Sequence, residues 1–134
     1  MKITNNNITE LKENEIFVFG SNMSGRHGKG AAKTAMKWGA KYGQASGIQG
    51  KTYGIPTVNA NITNKLHVDK IKIFINAFYF YVITHPEKHF LITEIGCGLA
   101  GHNIKNIAPL FKNFIYLENV SLPVKFIRII NKRK

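Results

Sequence analysis

Four glycines fall within the eleven-residue segment 20–30, GSNMSGRHGKG, which also carries Arg26, His27 and Lys29. Glycine tolerates positive φ and lets a ligand approach the main chain, while arginine and lysine supply positive charge. An alanine-rich stretch with helical spacing follows, and a helix start offers unpaired N–H groups to an anion. The chemistry suited to this segment is phosphate binding.

A second glycine-rich segment, GCGLAG, occupies residues 96–101 and is followed by His102. Each segment comes after a predicted buried strand, the continuously apolar run at residues 16–19 and the mostly apolar segment FLITEI at residues 90–95. Two glycine-rich turns after such strands can form two sides of one pocket and present main-chain N–H groups to a diphosphate. The pair is therefore more specific than either segment alone.

Two common phosphate-binding patterns do not fit the first segment. A P-loop requires Gly-Lys followed by Ser or Thr, but Gly25 precedes Arg26 and His27, and Gly30 precedes two alanines. A dinucleotide-binding turn requires G-x-G-x-x-G, whereas Gly25, Gly28 and Gly30 have the reverse spacing. The sequence thus favours neither an ATPase nor a nicotinamide dehydrogenase.

The elements that position these loops alternate between strands and helices. Apolar spacing predicts helices over residues 31–38 and 68–84, and a short helix from 102 or 103 to 111. Further strands are predicted over residues 52–57, ending at Pro56, and over residues 124–130 as the last strand. Residues 39–50 are predicted to form a loop, and residues 1–15 an edge strand or irregular lead-in. This alternation indicates an α/β sheet covered on both faces.

The composition is that of a globular protein, with 134 residues, 44% hydrophobic and 19% charged. We expect one domain over residues 1–134. No apolar run could span a membrane and no signal sequence is recognisable, so a cytoplasmic protein without membrane contact is expected. The single cysteine, Cys97, fits a reducing compartment. No metal site or cofactor is predicted.

The formal net charge of +12 suits an anionic partner such as a nucleotide diphosphate or nucleic acid. Only three of the 19 basic residues are arginine, the better reader of phosphates and bases, so the charge also fits a general richness in lysine. Lysines recur every fourth residue from Lys29 to Lys41, a stripe typical of a solvated helix face. A basic nucleic-acid-binding module stays open as an alternative.

The two loops resemble those of the macrodomain family, which binds ADP-ribose. The residues that carry the likeness are GKGAA at 28–32 and IGCGL at 95–99. They are similar to the branch that includes terminal ADP-ribose-glutamate hydrolases and antitoxins that remove ADP-ribose from DNA. A phage-associated group of uncharacterised macrodomain-like proteins shares FGSN, GRHGxGAA and IGCGLAG with this chain.

This resemblance implies a three-layer α/β/α fold with a central mixed sheet, and ADP-ribose or a related nucleotide diphosphate held between the two loops. Asn22 would lie near the distal ribose, and residues 96–102 would form the diphosphate loop. The expected ligand-binding residues are Gly20, Ser21, Asn22, Arg26, His27, Gly28, Lys29, Gly30, Gly96, Cys97, Gly98, Leu99, Ala100, Gly101 and His102.

Both side chains that are catalytic in these branches are replaced here. The lysine that follows Pro-Thr in the DNA-directed branch is Val58, and the aspartate after GCGL in the glutamate-hydrolase branch is Ala100. No acidic residue matches the one that reads adenine. Binding is therefore expected, with a hydrolase that uses other residues as the alternative.

Three residues could substitute for the missing catalytic groups. His102 could act as an acid or base near neutral pH, although a capping or surface histidine is the simpler interpretation. Lys51 or Lys65 could supply the missing amine. Cys97 is expected to be a small buried thiol and not a nucleophile.

Overall fold

The computed structural model describes residues 2–132. Its strands are β1 (Lys2–Ile3), β2 (Glu15–Asn22), β3 (Gly47–Gln49), β4 (Thr52–Val58), β5 (His89–Ile92) and β6 (Val120–Leu122). Its α-helices are α1 (Gly30–Met36), α2 (Val68–Ile83), α3 (Ile104–Ile107) and α4 (Val124–Lys132), and a 3-10 helix covers Ala108–Tyr116.

The six strands of the described region form one mixed sheet in the order β1-β6-β5-β2-β4-β3. Every neighbouring pair is parallel except β3 and β4, which are antiparallel. The carboxyl ends of the five parallel strands therefore meet at one edge of the sheet. The loops that follow β2, β4 and β5 leave the sheet at this edge, where ligands bind in open α/β sheets.

Alternate residues of β2 face opposite sides of the sheet and belong to two different hydrophobic clusters. Ile16 and Val18 pack in the larger cluster with residues of α2, the 3-10 helix and α4. Phe17 and Phe19 pack in the smaller cluster with Ala32 and Ala35 of α1. The sheet is thus covered on both faces, and the predicted three-layer α/β/α fold is confirmed.

Most predicted elements are present, with different ends. The second helix was predicted over residues 68–84 and spans Val68–Ile83, because Thr84 caps it and Pro86 follows. The first helix is shorter than predicted and ends at Met36. Strand β5 ends at Ile92, three residues before the predicted end, because the Ile95 amide donates to the Thr93 carbonyl and turns the chain.

The prediction of a strand over residues 124–130 is wrong, since Val124–Lys132 is helix α4. Pro123 precedes the helix, and its carbonyl accepts the Phe126 and Ile127 amides. Phe126 and Ile130, four residues apart, are buried against the larger cluster, while Arg128 is exposed. The β-branched residues favoured a strand locally, but helical packing of one face determines the conformation. The last strand of the described chain is instead β6, which ends just before this helix.

Two further predictions around residues 39–57 need correction. Part of the predicted loop, Gly47–Gln49, is the edge strand β3. Strand β4 also continues past Pro56 to Val58. Proline is tolerated there because β3 pairs only as far as Gly54, so nothing in the described chain requires an N–H on that side of Pro56.

His89 is expected to make the fold sensitive to acid. Its Nε2 lies 2.7 Å from Ser121 Oγ. Burial, then Lys2 and Lys12, lower the pKa of His89 from its ordinary value, while Glu15 opposes the shift. The unfolded chain therefore takes up the proton first as pH falls below about 6.5, and stability is lost in that direction. We expect the melting temperature to fall less between pH 7 and pH 5 in His89→Gln. An identical fall in both proteins would contradict this.

Candidate functional site

The two glycine-rich loops come into contact at the carboxyl ends of β2 and β5. A β-carbon built on Gly20 would lie 3.1 Å from the Gly96 amide nitrogen and 3.6 Å from Thr57 Oγ1. Any side chain at Gly20 would therefore press on the second loop. The predicted convergence of the two loops is confirmed, with Thr57 of β4 beside both.

The first loop is held by the side chain of Asn22. Its Oδ1 accepts hydrogen bonds from the Arg26 amide at 2.9 Å and from Ser24 Oγ at 2.8 Å. Its Nδ2 donates to the Arg26 carbonyl at 2.8 Å. Asn22 is buried and its polar atoms are used inside the loop. It therefore positions the loop, and the exposed Arg26 side chain stands at its outer end.

The second loop is closed by His102. The His102 amide donates to the Gly96 carbonyl at 2.8 Å, and Nε2 lies 2.9 Å from the Thr57 carbonyl oxygen. A carbonyl can only accept, so Nε2 carries the proton in this bond. His102 thus ties the loop to β4, which favours a structural role over the acid–base role considered as an alternative from the sequence.

The amides of Gly98, Leu99 and Ala100 have no hydrogen-bond partner within residues 2–132. Gly98 and Leu99 are exposed residues, so unpaired amides there carry no penalty of burial. Three adjacent unpaired donors are suited to oxygen atoms of an anionic ligand. Because α1 has only seven residues, these loop amides are a better basis for anion binding than the helix start predicted from the sequence.

A central cavity of about 370 Å³ lies between the two loops. Its lining includes Lys29 and Gly30 from the first loop and Gly98, Leu99 and Ala100 from the second. A diphosphate placed here would meet the unpaired amides and the Lys29 side chain. The central cavity is therefore the core of the candidate site.

Two further cavities adjoin the central cavity. The outer cavity, about 640 Å³, is lined by Gly20, Ser21, Asn22, Arg26, Gly28, Lys29, Ala32, Tyr42, Thr57, Val58, Ile62, Thr63, Asn64, Lys65, Leu99 and Ala100. The N-terminal cavity, about 430 Å³, is lined by Thr4, Asn5, Asn6, Asn7, Ile8, Phe17, Ala31, Thr34, Thr93, Glu94, Pro123 and Lys125. Each shares lining residues with the central cavity and none with the other. The three cavities therefore form a row along the sheet edge.

Gly28 and Gly98 differ from the other glycines of the two loops. Neither has the left-handed φ that requires glycine, and a β-carbon at either would meet no atom within 4 Å. The fold therefore does not explain why these positions lack a side chain. Gly28 lines the outer cavity and Gly98 lines the central cavity. Close approach of a ligand to the main chain is a physical reason for glycine at both.

Four predicted ligand-binding residues, His27, Cys97, Gly101 and His102, line none of these cavities. The His27 ring is buried edge-on to Phe19, with ring centroids 5.2 Å apart, and its Nε2 lies 3.3 Å from Gln49 Oε1. Ser21 lines the outer cavity, but its hydroxyl donates to the Ala45 carbonyl. Because its ring is buried against Phe19 and Gln49, His27 stabilises the first loop from the protein interior.

Cys97 is expected to be unreactive. Burial, with a smaller contribution from Glu94, raises the pKa of the thiol to about 11. Roughly one thiol in a thousand is then ionised at pH 8, against about one in four for an ordinary cysteine, and the thiolate is the nucleophile. Iodoacetamide should alkylate Cys97 about 100-fold more slowly than free cysteine. Mass spectrometry measures the rate, urea-unfolded protein is the control, and a rate equal to that of free cysteine would contradict the prediction.

The three candidate substitutes for the missing catalytic groups lie in different places. Lys51 Nζ donates to the Lys12 carbonyl at 2.7 Å and lines none of the cavities, so it is removed from the site. Lys65 lines the outer cavity and forms a β-bridge with Val58, the position where the resemblance implies a lysine. Its Nζ lies 3.4 Å from the Gly101 carbonyl oxygen. Of the three, Lys65 is the one whose amine can reach the site.

Several lining residues were not predicted from the sequence, among them Glu94, Tyr42 and Ile62. Glu94 lines both the N-terminal and the central cavity, and its place directly before the second loop was a usable signal. Tyr42 and Ile62 line the outer cavity, far in sequence from either loop. Ile62 has φ of +58°, a strained conformation for a β-branched residue, and such strain is concentrated at functional sites.

Residues 2–132 contain neither a cluster of metal-binding side chains nor a helix that could span a membrane. No group of three or more His, Cys, Asp and Glu side chains is arranged to hold a metal ion. None of the helices is both long and apolar enough to cross a membrane.

Comparison with known proteins supports the architecture. No protein-family model matches the chain, and no curated protein shows significant similarity to it. A solved structure, described as a protein of unknown function from Bacteroides thetaiotaomicron, is similar with a TM-score of 0.61 and 15% sequence identity. The match covers 86% of this chain and 90% of that chain. At this identity the likeness shows the fold alone.

Proposed function

We propose that the protein binds ADP-ribose, or a related nucleotide diphosphate, in the manner of a macrodomain. The observation that carries the proposal concerns Gly28 and Gly98. Neither the backbone conformation nor the packing of the fold requires glycine at these two positions. Both open onto the connected cavities at the sheet edge. The diphosphate is held in the central cavity by the amides of residues 98–100 and by Lys29.

The order of the cavities supports an elongated ligand. A nucleotide diphosphate joined to a second sugar has a base at one end, phosphates in the middle and a ribose at the other end. The base lies in the N-terminal cavity, where Asn5, Asn6 and Asn7 supply amide donors and acceptors. Glu94, at the junction with the central cavity, accepts hydrogen bonds from sugar hydroxyls or the base amino group. The distal ribose lies in the outer cavity near Asn22.

Calorimetry against free ADP-ribose tests this proposal. We expect ADP-ribose to bind at least about tenfold more tightly than ADP or ribose 5-phosphate, because each fragment leaves one end of the row of cavities unfilled. The melting temperature should rise with ADP-ribose concentration. No heat and no change in melting temperature at millimolar ADP-ribose would contradict the proposal.

A hydrolase that releases ADP-ribose from a carrier is the second candidate function. The observation that favours it is the bridge between Lys65 and Val58, which brings an amine to the outer cavity where the resemblance implies a lysine. An unprotonated primary amine can take a proton from a water that attacks the anomeric carbon of the distal ribose as the bond to the carrier breaks. It can instead attack that carbon itself, so that the carrier leaves with a proton and water then hydrolyses the bond between ribose and amine. Thr57 and Ala100 line the same cavity and offer no ionisable group.

Release of ADP-ribose from modified DNA or modified protein tests the hydrolase. Loss of release in Lys65→Ala, with ADP-ribose affinity changed less than about threefold, would assign the reaction to this amine. Loss in His102→Ala together with a lower melting temperature would indicate that the loop had been freed from β4. No release from either carrier by the wild-type protein would contradict the hydrolase.

A further inference from the structure

The N-terminal cavity is lined by one carboxylate and one ammonium group. Glu94 lines both this cavity and the central cavity, so it lies at the junction between them. Lys125, in the first turn of α4, is exposed and lines the N-terminal cavity but neither of the other two. Neither side chain has an ion-pair or hydrogen-bond partner in the described chain. Because a carboxylate only accepts and an ammonium only donates, a matching ligand offers a donor at the junction and an acceptor farther in.

Further polar groups around this cavity are unpaired. Thr4 is buried, and its Oγ1 has no hydrogen-bond partner among the described residues. Helix α4 borders the cavity through Pro123 and Lys125, and the backbone amides of Val124 and Lys125 have no partner within residues 2–132. A helix start carries partial positive charge and favours an electronegative atom. The Thr4 hydroxyl can donate or accept, whereas the start of α4 and Lys125 both favour an acceptor on the ligand.

The two purine bases differ at the edges that would meet these groups. On the edge beside the sugar, adenine presents only the acceptor N3, whereas guanine adds the N2 amino donor. On the opposite edge, adenine presents N7 and an N6 amino donor, whereas guanine presents the two acceptors N7 and O6. With the base in the N-terminal cavity and the diphosphate in the central cavity, Glu94 meets the sugar-side edge and Lys125 the opposite one. Guanine matches both charged groups, whereas adenine offers the carboxylate no donor and sets its amino group against the ammonium.

We infer that the N-terminal cavity selects guanine, so that the preferred ligand is a guanosine diphosphate joined to a sugar. The inference rests on the proposed function for the position of the diphosphate. Glu94 accepts a hydrogen bond from the N2 amino group, and Lys125 donates to O6 or N7. ADP-ribose occupies the same row of cavities and binds less tightly, because its base lacks the matching groups. Glu94 and Lys125 are therefore the residues that determine base specificity.

Calorimetry of the wild-type protein with three nucleoside diphosphates tests the base preference. GDP, inosine diphosphate (IDP) and ADP share the ribose and the diphosphate and differ only in the base. IDP keeps the O6 acceptor of guanine and lacks the N2 amino group. We expect GDP to bind about tenfold or more tightly than ADP, with IDP between the two, because a polar group without a matching partner is strongly rejected. Equal affinity for GDP and ADP would overturn the inference.

Two variants assign the preference to its residues. Glu94→Met removes the acceptor at similar length, so GDP and IDP should then bind equally. Lys125→Met removes the donor, so the advantage of IDP over ADP should disappear. Lys33→Met is the matched control, because Lys33 is an exposed lysine on α1 that lines none of the cavities, and it should change each ratio less than about twofold. Equal weakening of all three ligands in Glu94→Met would mean that Glu94 binds ribose hydroxyls, and would refute its role in base selection.

Calorimetry with ADP-ribose and with Gly98→Glu separates failure of this inference from failure of the proposed function. ADP-ribose binding together with equal affinity for GDP and ADP would refute only the guanine preference. GDP binding that Gly98→Glu leaves unchanged would refute the proposed function instead, because the diphosphate would not then lie between the two loops.

Discussion

Gly98→Glu is expected to abolish ADP-ribose binding and to leave the protein folded. A β-carbon at Gly98 would meet no atom within 4 Å, and its φ lies outside the left-handed region, so the fold can accept a side chain there. The new carboxylate would occupy the central cavity and repel the diphosphate. We expect affinity to fall by at least about 100-fold, or ~2.7 kcal/mol, in calorimetry, with the melting temperature of the free protein nearly unchanged.

Two control variants separate the causes of this loss. Gly98→Gln adds a side chain of the same size without charge, so its smaller loss reports the steric part alone. Asn113→Glu adds the same charge at an exposed position of the 3-10 helix that lines none of the cavities. It should bind like wild type. Wild-type affinity in Gly98→Glu would mean that the ligand does not lie between the two loops.

Phe126→Ala is expected to cause the largest loss of stability among the variants considered. Phe126 is fully buried on α4, and its ring stacks on Phe111 with centroids 5.5 Å apart. Removing a buried phenylalanine side chain leaves a cavity and typically costs about 3–5 kcal/mol. Chemical denaturation followed by circular dichroism measures the change in the free energy of unfolding.

The matched control for this variant is Arg128→Ala on the same helix. A strand over residues 124–130 would place Phe126, Arg128 and Ile130 on one face, because side chains alternate. The helix instead buries Phe126 and Ile130 and exposes Arg128. We therefore expect Arg128→Ala to change stability by less than about 0.5 kcal/mol. A loss comparable with that of Phe126→Ala would contradict the helical packing of this segment.

The fold class could be predicted because its signals are local. The apolar run at residues 16–19 requires burial on both faces, and it is the core of β2. The spacing of Ile71, Ile75, Phe78 and Val82 produces one buried helical face, and all four are buried in α2. The prediction for residues 124–130 was wrong because Ile127, Ile129 and Ile130 favour a strand locally. Packing of the helix against the 3-10 helix overrides this local preference.

By itself, the sequence determined the two glycine-rich loops and the strands that carry them, and it predicted that the loops could meet. Glycine patterns and buried strands are consequences of residues close together in the chain. Only the tertiary structure decided which side chains share the site. Tyr42, Lys65 and Glu94 lie in separate segments, and the strand order β1-β6-β5-β2-β4-β3 brings those segments to one edge of the sheet. The same packing makes His27 and His102 supports for the loops, because Nε2 of each ring lies within hydrogen-bonding distance of an oxygen atom inside the fold.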